Sequence, residues 1–292
     1  IDHYLGKESV ENLVFMRAAN RFVERTLHRD YVESIEITMA EKFGVEGRAK
    51  FYDAVGAIRD VVQNHLLEVV VCLTMDLPTS EDHEALREAR AKLLASIRPI
   101  DPKDVVRGQV QGYLEEDGVE KSSKTETYAA LRVYVDTPRW KDVPFVIRTG
   151  KAMMLTRTEV LIRLKPSEQP VLDSHTPPEP NHLRFRLSPE IQIGMGVSVK
   201  APGQAMTGEA KELVLERSAS AGLKPYERLL GDAIDGDHEL YSRQDAVEAS
   251  WRVVGPVLDG KEVFPYEKGS WGPQEADRVA PPGGWSRVIS RT

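Results

Sequence analysis

A disulfide is excluded at once, because the 292 residues contain one cysteine, Cys72. It sits in the apolar run Val69-Val70-Val71-Cys72-Leu73 and reads as a buried structural thiol in a reducing compartment. No apolar stretch approaches the ~20 residues of a membrane-spanning helix, and Glu68 interrupts the best candidate. No basic-then-apolar signal segment opens the chain, so the expected location is cytoplasmic. Basic residues number 39 against 46 acidic ones, a formal net charge of -7, and form no stripe. Nucleic acid is therefore not an expected partner, since binding a phosphate backbone needs clustered cations. No Gly-x-Gly-x-x-Gly joins a strand to a helix, and no P-loop is present. The Gly194-Met195-Gly196 pair lies inside a strand pattern. Seven scattered histidines lack the close pairing of a zinc helix, so no metal is expected. Asp232, Asp235 and Asp237 have the wrong spacing for a calcium loop.

What is present is concentrated in two stretches. Ile1-Asp2-His3-Tyr4-Leu5-Gly6-Lys7 gathers a carboxylate, an imidazole, a phenol and an ammonium at the approach to a helix. Unpaired amides and the positive dipole end already attract anions there, so His3 and Lys7 complete a phosphate socket. Arg59-Asp60-Val61-Val62-Gln63-Asn64-His65 sets polar groups into an apolar helix. Together they point to an anionic, hydroxyl-bearing substrate and a histidine base. With this motif at residue 1, the natural polypeptide is expected to begin upstream.

The apolar spacing of Phe15, Ala18, Ala19, Phe22 and Val23 predicts one helix from about 6 to 28. Ile35, Ile37 and Met39 alternate with Glu36 and Thr38 as a strand, and residues 51–77 return to a helix. A charged amphipathic helix covers 81–98, with Leu86, Ala89, Leu93 and Leu94 as its apolar face. The period then becomes two, around 131–135, 160–164, 183–187 and 191–199, and ends at Leu213 and Leu215. Such alternation predicts antiparallel strands buried on one face, the other meeting water or a partner subunit. Two helices follow, near 225–235 and 242–256. The Pro-rich segment 166–181 reads as a loop, and the last ~28 residues as irregular. The expected class is α+β: one large, mainly antiparallel sheet with helices packed on one face.

His65 falls on the stripe Ile58, Val62, His65, Val69, Cys72. It is either a core histidine bonded to backbone or a general base, whose ordinary pKa suits proton abstraction near neutrality. A base needs an orienting carboxylate, and Asp2 and Asp60 are the candidates. On an α-helix Asp60 lies roughly 140° around from His65, so it reaches the same cleft only from the rim. Taken singly, His3, Lys7 and Lys151 also read as surface residues and Tyr4 as packing. Lys151 follows Gly150, which permits close backbone approach to a ligand.

The segments 1–8, 59–65 and Arg148-Thr149-Gly150-Lys151 resemble those of glucose-6-phosphate dehydrogenases. The resemblance extends through 41–48, Arg139-Trp140 to Phe145, Gly236-Asp237 to Trp251, and Gly269-Ser270-Trp271-Gly272-Pro273. It implies a substrate-binding and oligomerisation domain over 1–292, preceded in the family by a Rossmann domain that holds NADP, or NAD in some members. His65 matches the family's base, which takes the C1 hydroxyl proton of glucose 6-phosphate as hydride leaves for nicotinamide; 6-phosphogluconolactone results. Asp2 matches the carboxylate that orients it. His3, Tyr4 and Lys7 match phosphate-side contacts, Glu41 and Asp60 match groups on the sugar hydroxyls, and Lys151 matches a substrate lysine. Two positions depart from the pattern: Thr156 stands where a basic residue is usual, and Ser188 where relatives can carry glutamine. The expected assembly is a homodimer or homotetramer through the sheet, and this chain by itself is expected to be inactive. The alternative is a non-catalytic sugar-phosphate-binding or dimerisation module.

Overall fold

The computed structural model describes residues 2–80, 82–167, 180–203, 206–217, 224–260 and 262–286. Its centre is a nine-stranded sheet: β1 Val32–Ala40, β2 Val105–Val110, β3 Tyr128–Val133, β4 Phe145–Gly150, β5 Arg157–Leu164, β6 His182–Ser188, β7 Ile191–Lys200, β8 Gly208–Arg217 and β9 Phe264–Tyr266. The spatial order is β8-β7-β6-β5-β1-β4-β3-β2-β9. β1–β4 and β2–β9 are parallel and the other pairs antiparallel, so the α+β expectation holds. β2 and β9 were not foreseen. Most of the expected loop at 166–181, and the last six residues of the expected irregular tail, lie outside the described residues.

Side chains of successive strand residues point to opposite faces. Ala129, Leu131 and Val133 join Ile35, Ile37, Phe145 and Val160 in a large core against the helices, whereas Tyr128 and Ala130 join a second core with Tyr52, Tyr266 and Val279. The expectation that the second face meets water or a partner is thus corrected for the central strands. Glu36, Thr38 and Arg148 are almost fully buried there. Arg148 donates to Thr38 Oγ1 at 2.9 Å, pairs with Glu36 at 3.2 Å, and lies 4.6 and 4.8 Å from the ring centroids of Trp271 and Trp285. The chain's own tail is the cover. At the other end, Leu213 and Leu215 of β8 are 63% and 62% exposed, so their alternation marks no core.

The first predicted helix is two, α1 Glu8–Ala19 and α2 Arg21–Thr26, broken at extended Asn20. Of its supposed apolar face Phe15, 67% exposed, Ala18, Ala19 and Phe22 point outward and Val23 is buried, while Val10, Leu13 and Arg17 turn in. The reason is electrostatic as well as apolar. Arg17 donates to the carbonyls of Cys72 and Met75 at 3.0 and 2.6 Å and pairs with Glu24, satisfying a helix end that would otherwise be buried unpaired.

The helix predicted over 51–77 is also divided: α3 Ala49–Ala57, a π-helix Ile58–Leu66, and α4 Leu67–Thr74. Helices α5 His83–Ser96, α6 Pro225–Asp235 and α7 Gln244–Val254 agree with the periodicity.

Candidate functional site

The π-helix decides where the imidazole goes. Its bonds run i→i+5, so about 4.4 residues complete a turn and each residue advances roughly 80°. Five residues then return to nearly the same face. Asp60 and His65 therefore project from one side of the segment, not from the 140° separation that an α-helix implies. The wide turns are anchored from outside the helix. Glu126 accepts the Ile58 N–H at 3.0 Å, Ala57 N–H bonds the Glu126 carbonyl at 3.0 Å, and Gln63 donates to Ser250 at 2.7 Å.

Asp2 comes to His65 from the amino-terminal segment. Its Oδ1 lies 2.6 Å from His65 Nδ1 and also accepts the Tyr4 N–H at 2.9 Å, an Asx-type turn. Both side chains are largely buried, 15% exposed for His65 and 10% for Asp2. The core-histidine alternative fails on this geometry, because the ring's partner is a carboxylate and not backbone.

His3, Tyr4 and Lys7 close around the same ring. Tyr4 stacks on His65 at 4.4 Å between centroids, His3 meets it edge-on at 4.5 Å, and Lys7 Nζ is 3.7 Å from the Tyr4 centroid. Burial, followed by the neighbouring His65 and Lys7, pulls the His3 pKa down to about 4. Burial also lowers the Lys7 pKa, opposed by Asp2 and Glu41. Burial raises the Tyr4 phenol to about 12. Two nitrogen groups are thus desolvated side by side, an arrangement that an arriving dianion relieves.

A pH consequence follows for the uncomplexed protein. Folded His3 stays neutral down to about pH 4, whereas an ordinary histidine protonates near 6.5. The unfolded chain takes the proton first, so this contribution to stability is full above about 6.5 and is lost as pH falls toward 4. Denaturation midpoints measured at pH 7 and 5 are expected to differ less in His3→Asn than in the unchanged chain; an equal difference would remove the assignment.

A second group lies at the carboxyl ends of β1 and β4. These strands pair in parallel with Ala40 opposite Gly150, so Glu41 and Lys151 leave the sheet side by side and their side chains meet at 2.5 Å. A Cβ at Gly150 would stand 2.8 Å from the Tyr128 ring, which explains glycine there. The Tyr52 phenol is felt by both Asp60 and Glu41, and Lys151 Nζ is 5.5 Å from its centroid. Glu41 also acts on Tyr4 and Lys7. The eight expected residues therefore fall into two adjoining groups, one around His65 and one around Tyr52.

Thr156 is engaged with the chain itself: its hydroxyl accepts the Lys42 N–H at 3.0 Å, holding the loop after Glu41. Arg157 beside it is buried and leads into β5, so it does not take over that position. Ser188 is placed opposite Thr158 on β5. Sequence reasoning missed Tyr226 of α6, whose ring stacks on His3 at 5.3 Å from more than two hundred residues away, a contact with no local signal. Asp2, His3 and His65 bring three metal-capable atoms within 4.8 Å of one another. Asp2 and His65 are hydrogen-bonded to each other, however, and the Lys7 charge opposes a cation. Among the described residues no helix is long and apolar enough to cross a membrane.

Comparison with known proteins points to one family. The family model described as glucose-6-phosphate dehydrogenase, C-terminal domain, matches residues 14–285. Glucose-6-phosphate 1-dehydrogenase 1 of Mycobacterium tuberculosis is 41% identical over 286 residues, which cover 96% of this chain and 60% of the relative. The Aggregatibacter actinomycetemcomitans enzyme is 40% identical, covering 98% and 62%. The crystal structure of the Mycobacterium avium enzyme superposes with a TM-score of 0.90 at 41% identity, over 100% of this chain and 64% of that one. A glucose-6-phosphate dehydrogenase in complex with its substrate glucose 6-phosphate gives 0.87 at 33%, over 99% and 63%. This chain thus spans about three fifths of the length of these relatives.

Proposed function

Because this chain belongs to the glucose-6-phosphate dehydrogenase C-terminal domain family, we propose that it is the substrate-side part of an enzyme oxidising glucose 6-phosphate at C1. The observation that carries this reading is the 2.6 Å bond between Asp2 and His65 with His3 and Lys7 beside it. With Nδ1–H donated to Asp2, the lone pair of His65 sits on Nε2, facing away from the carboxylate. Nε2 takes the proton of the C1 hydroxyl, the C1–H electrons leave as hydride, and the C1–O bond becomes the lactone carbonyl. Asp2 stabilises the imidazolium that forms. His3, Tyr4 and Lys7 hold the phosphate. Glu41, Asp60 and Lys151 fix the sugar hydroxyls, which sets C1 against His65.

When bound, a nicotinamide coenzyme, NADP or NAD, supplies the hydride acceptor. The described residues hold no Gly-x-Gly-x-x-Gly turn that joins a strand to a helix: Gly194 and Gly196 lie within β7. Its binding is assigned to polypeptide outside this chain, and this chain alone is not expected to turn over. The setting is cytoplasmic, as in the Solanum tuberosum relative named a cytoplasmic isoform. Two copies pairing through the exposed β8 end of the sheet belong to the same reading.

The test joins this chain to its coenzyme-binding portion and follows nicotinamide reduction against a panel of sugar phosphates. Preference for another sugar phosphate, or binding without any turnover, would overturn the reading. In that protein Lys7→Ala is expected to raise KM for glucose 6-phosphate by about 10- to 100-fold with a much smaller change in kcat, since a phosphate contact holds ground and transition states alike. Steady-state kinetics over a wide substrate range separates the two.

A further inference from the structure

Glu68 follows His65 by three residues, at the start of α4, and takes no part in the chemistry above. It is 7% exposed. Its Oε1 accepts from Ser242 Oγ at 3.2 Å, while its Oε2 is buried without a protein hydrogen-bond partner. The same is true of Asp2 Oδ2, the oxygen that does not face His65, and of Arg90 Nε. Glu68 feels the charges of Asp2 in the amino-terminal segment and Arg90 on α5, and the Ser242 hydroxyl bonds it from the connection before α7; His65, at the end of the π-helix, and Cys72, on α4, lie one turn before and after it. Arg90 is also engaged elsewhere, donating through Nη1 to the Glu239 carbonyl at 2.8 Å. Two buried carboxyl groups therefore act on each other behind the imidazole, with Arg90 as the cation on the Glu68 side and Lys7 on the Asp2 side.

We propose that Glu68 is a positioning residue of the base, a buried carboxyl group that acts on His65 through Asp2 and sets how tightly that pair holds a proton. This rests on reading His65 as the base. Like charges close together disfavour double ionisation, so the Asp2 carboxyl, bonded to His65 and to the Tyr4 amide, favours the protonated form of Glu68. Burial, then the charge on Asp2, pushes the Glu68 carboxyl up to about 7. When Glu68 does ionise, a second negative charge stands behind Asp2 and stabilises the imidazolium. The two titrations are coupled, and the acid side of the rate profile belongs to the pair, not to His65 alone.

Glu68→Gln keeps the shape and the acceptor for Ser242 and removes the ionisation. In the protein joined to its coenzyme-binding portion, kcat against pH is expected to change in one defined way. The acid limb becomes a one-proton curve and its midpoint moves down by about half to one pH unit, while KM for glucose 6-phosphate stays within about twofold. Ser242→Ala removes a hydrogen bond that favours the ionised carboxylate, so it shifts the midpoint in the same direction by less. It carries the test alone should the first variant fail to fold. A folded Glu68→Gln enzyme with the original profile, or with kcat lowered equally at every pH, overturns the proposal. Normal turnover in His65→Asn overturns instead the reading on which it rests.

Discussion

Replacing His65 with asparagine is expected to lower kcat by ~10² to 10⁴ while KM for glucose 6-phosphate changes only a few-fold. The size follows from what is lost. A positioned base that removes the C1 hydroxyl proton in the transition state is absent, and water must take it from a less ordered place. The selectivity follows from what stays. Asparagine can still donate an N–H toward Asp2 Oδ1, so the buried carboxylate keeps a partner and the local fold is preserved. His3 and Lys7 remain to bind phosphate, and Glu41 and Lys151 remain at the ends of β1 and β4. Turnover within a factor of two of the unchanged enzyme, across pH 6 to 9, would remove His65 from the mechanism.

Gly56→Ala carries the largest expected effect on stability. Gly56 has φ 70° and ψ 174°, a region that essentially only glycine occupies at a cost of about 1–3 kcal/mol for other residues. A Cβ there would stand 2.7 Å from Glu126 Oε1, the atom that accepts the Ile58 N–H at the start of the π-helix. Moving that carboxylate leaves a buried amide unpaired, which costs about a further 1–3 kcal/mol. The sum, about 2–6 kcal/mol, is a large fraction of the ~5–15 kcal/mol that holds a domain together. A fall in Tm on the order of 10 °C is expected by calorimetry. Because the segment that turns from this glycine carries Asp60 and His65, kcat should also fall at temperatures where the variant is fully folded. A Tm within 2 °C of the original would mean that the strain is relieved elsewhere.

Much of the site was legible because its chemistry is local. Asp2, His3, Tyr4 and Lys7 fall within six consecutive positions at a helix approach, and the polar residues from Asp60 to His65 interrupt an apolar pattern. Side-chain density of that kind needs no fold to be noticed. The strand series was legible for the same reason, since an alternation of two is written in the order of residues. What could not be read depends on distant partners. The π-helix is set by Glu126 and Ser250, which lie far along the chain, and a sequence periodic at 3.6 gives no hint of i→i+5 bonding. The inward turn of Arg17 depends on carbonyls more than fifty residues away. Glu36 and Thr38 read as a water-facing edge because their cover, Arg148 with Trp271 and Trp285, comes from other regions of the chain. Tyr226 and Glu68 have no local mark either, one being a surface aromatic and the other a charge within an apolar run.

That cover bears on the pocket proposed to hold the sugar. Ser286 donates through its backbone N–H and its hydroxyl to Glu36 at 3.0 and 2.7 Å, and its carbonyl accepts from Arg148 at 3.0 Å. Glu36 and Arg148 sit on the two neighbouring strands whose ends present Glu41 and Lys151. Residues late in this sequence thus rivet together the pair of rails along which Glu41 and Lys151, proposed to meet the sugar, are delivered. The spacing of those groups is a property of the carboxy-terminal tail as much as of the strands themselves.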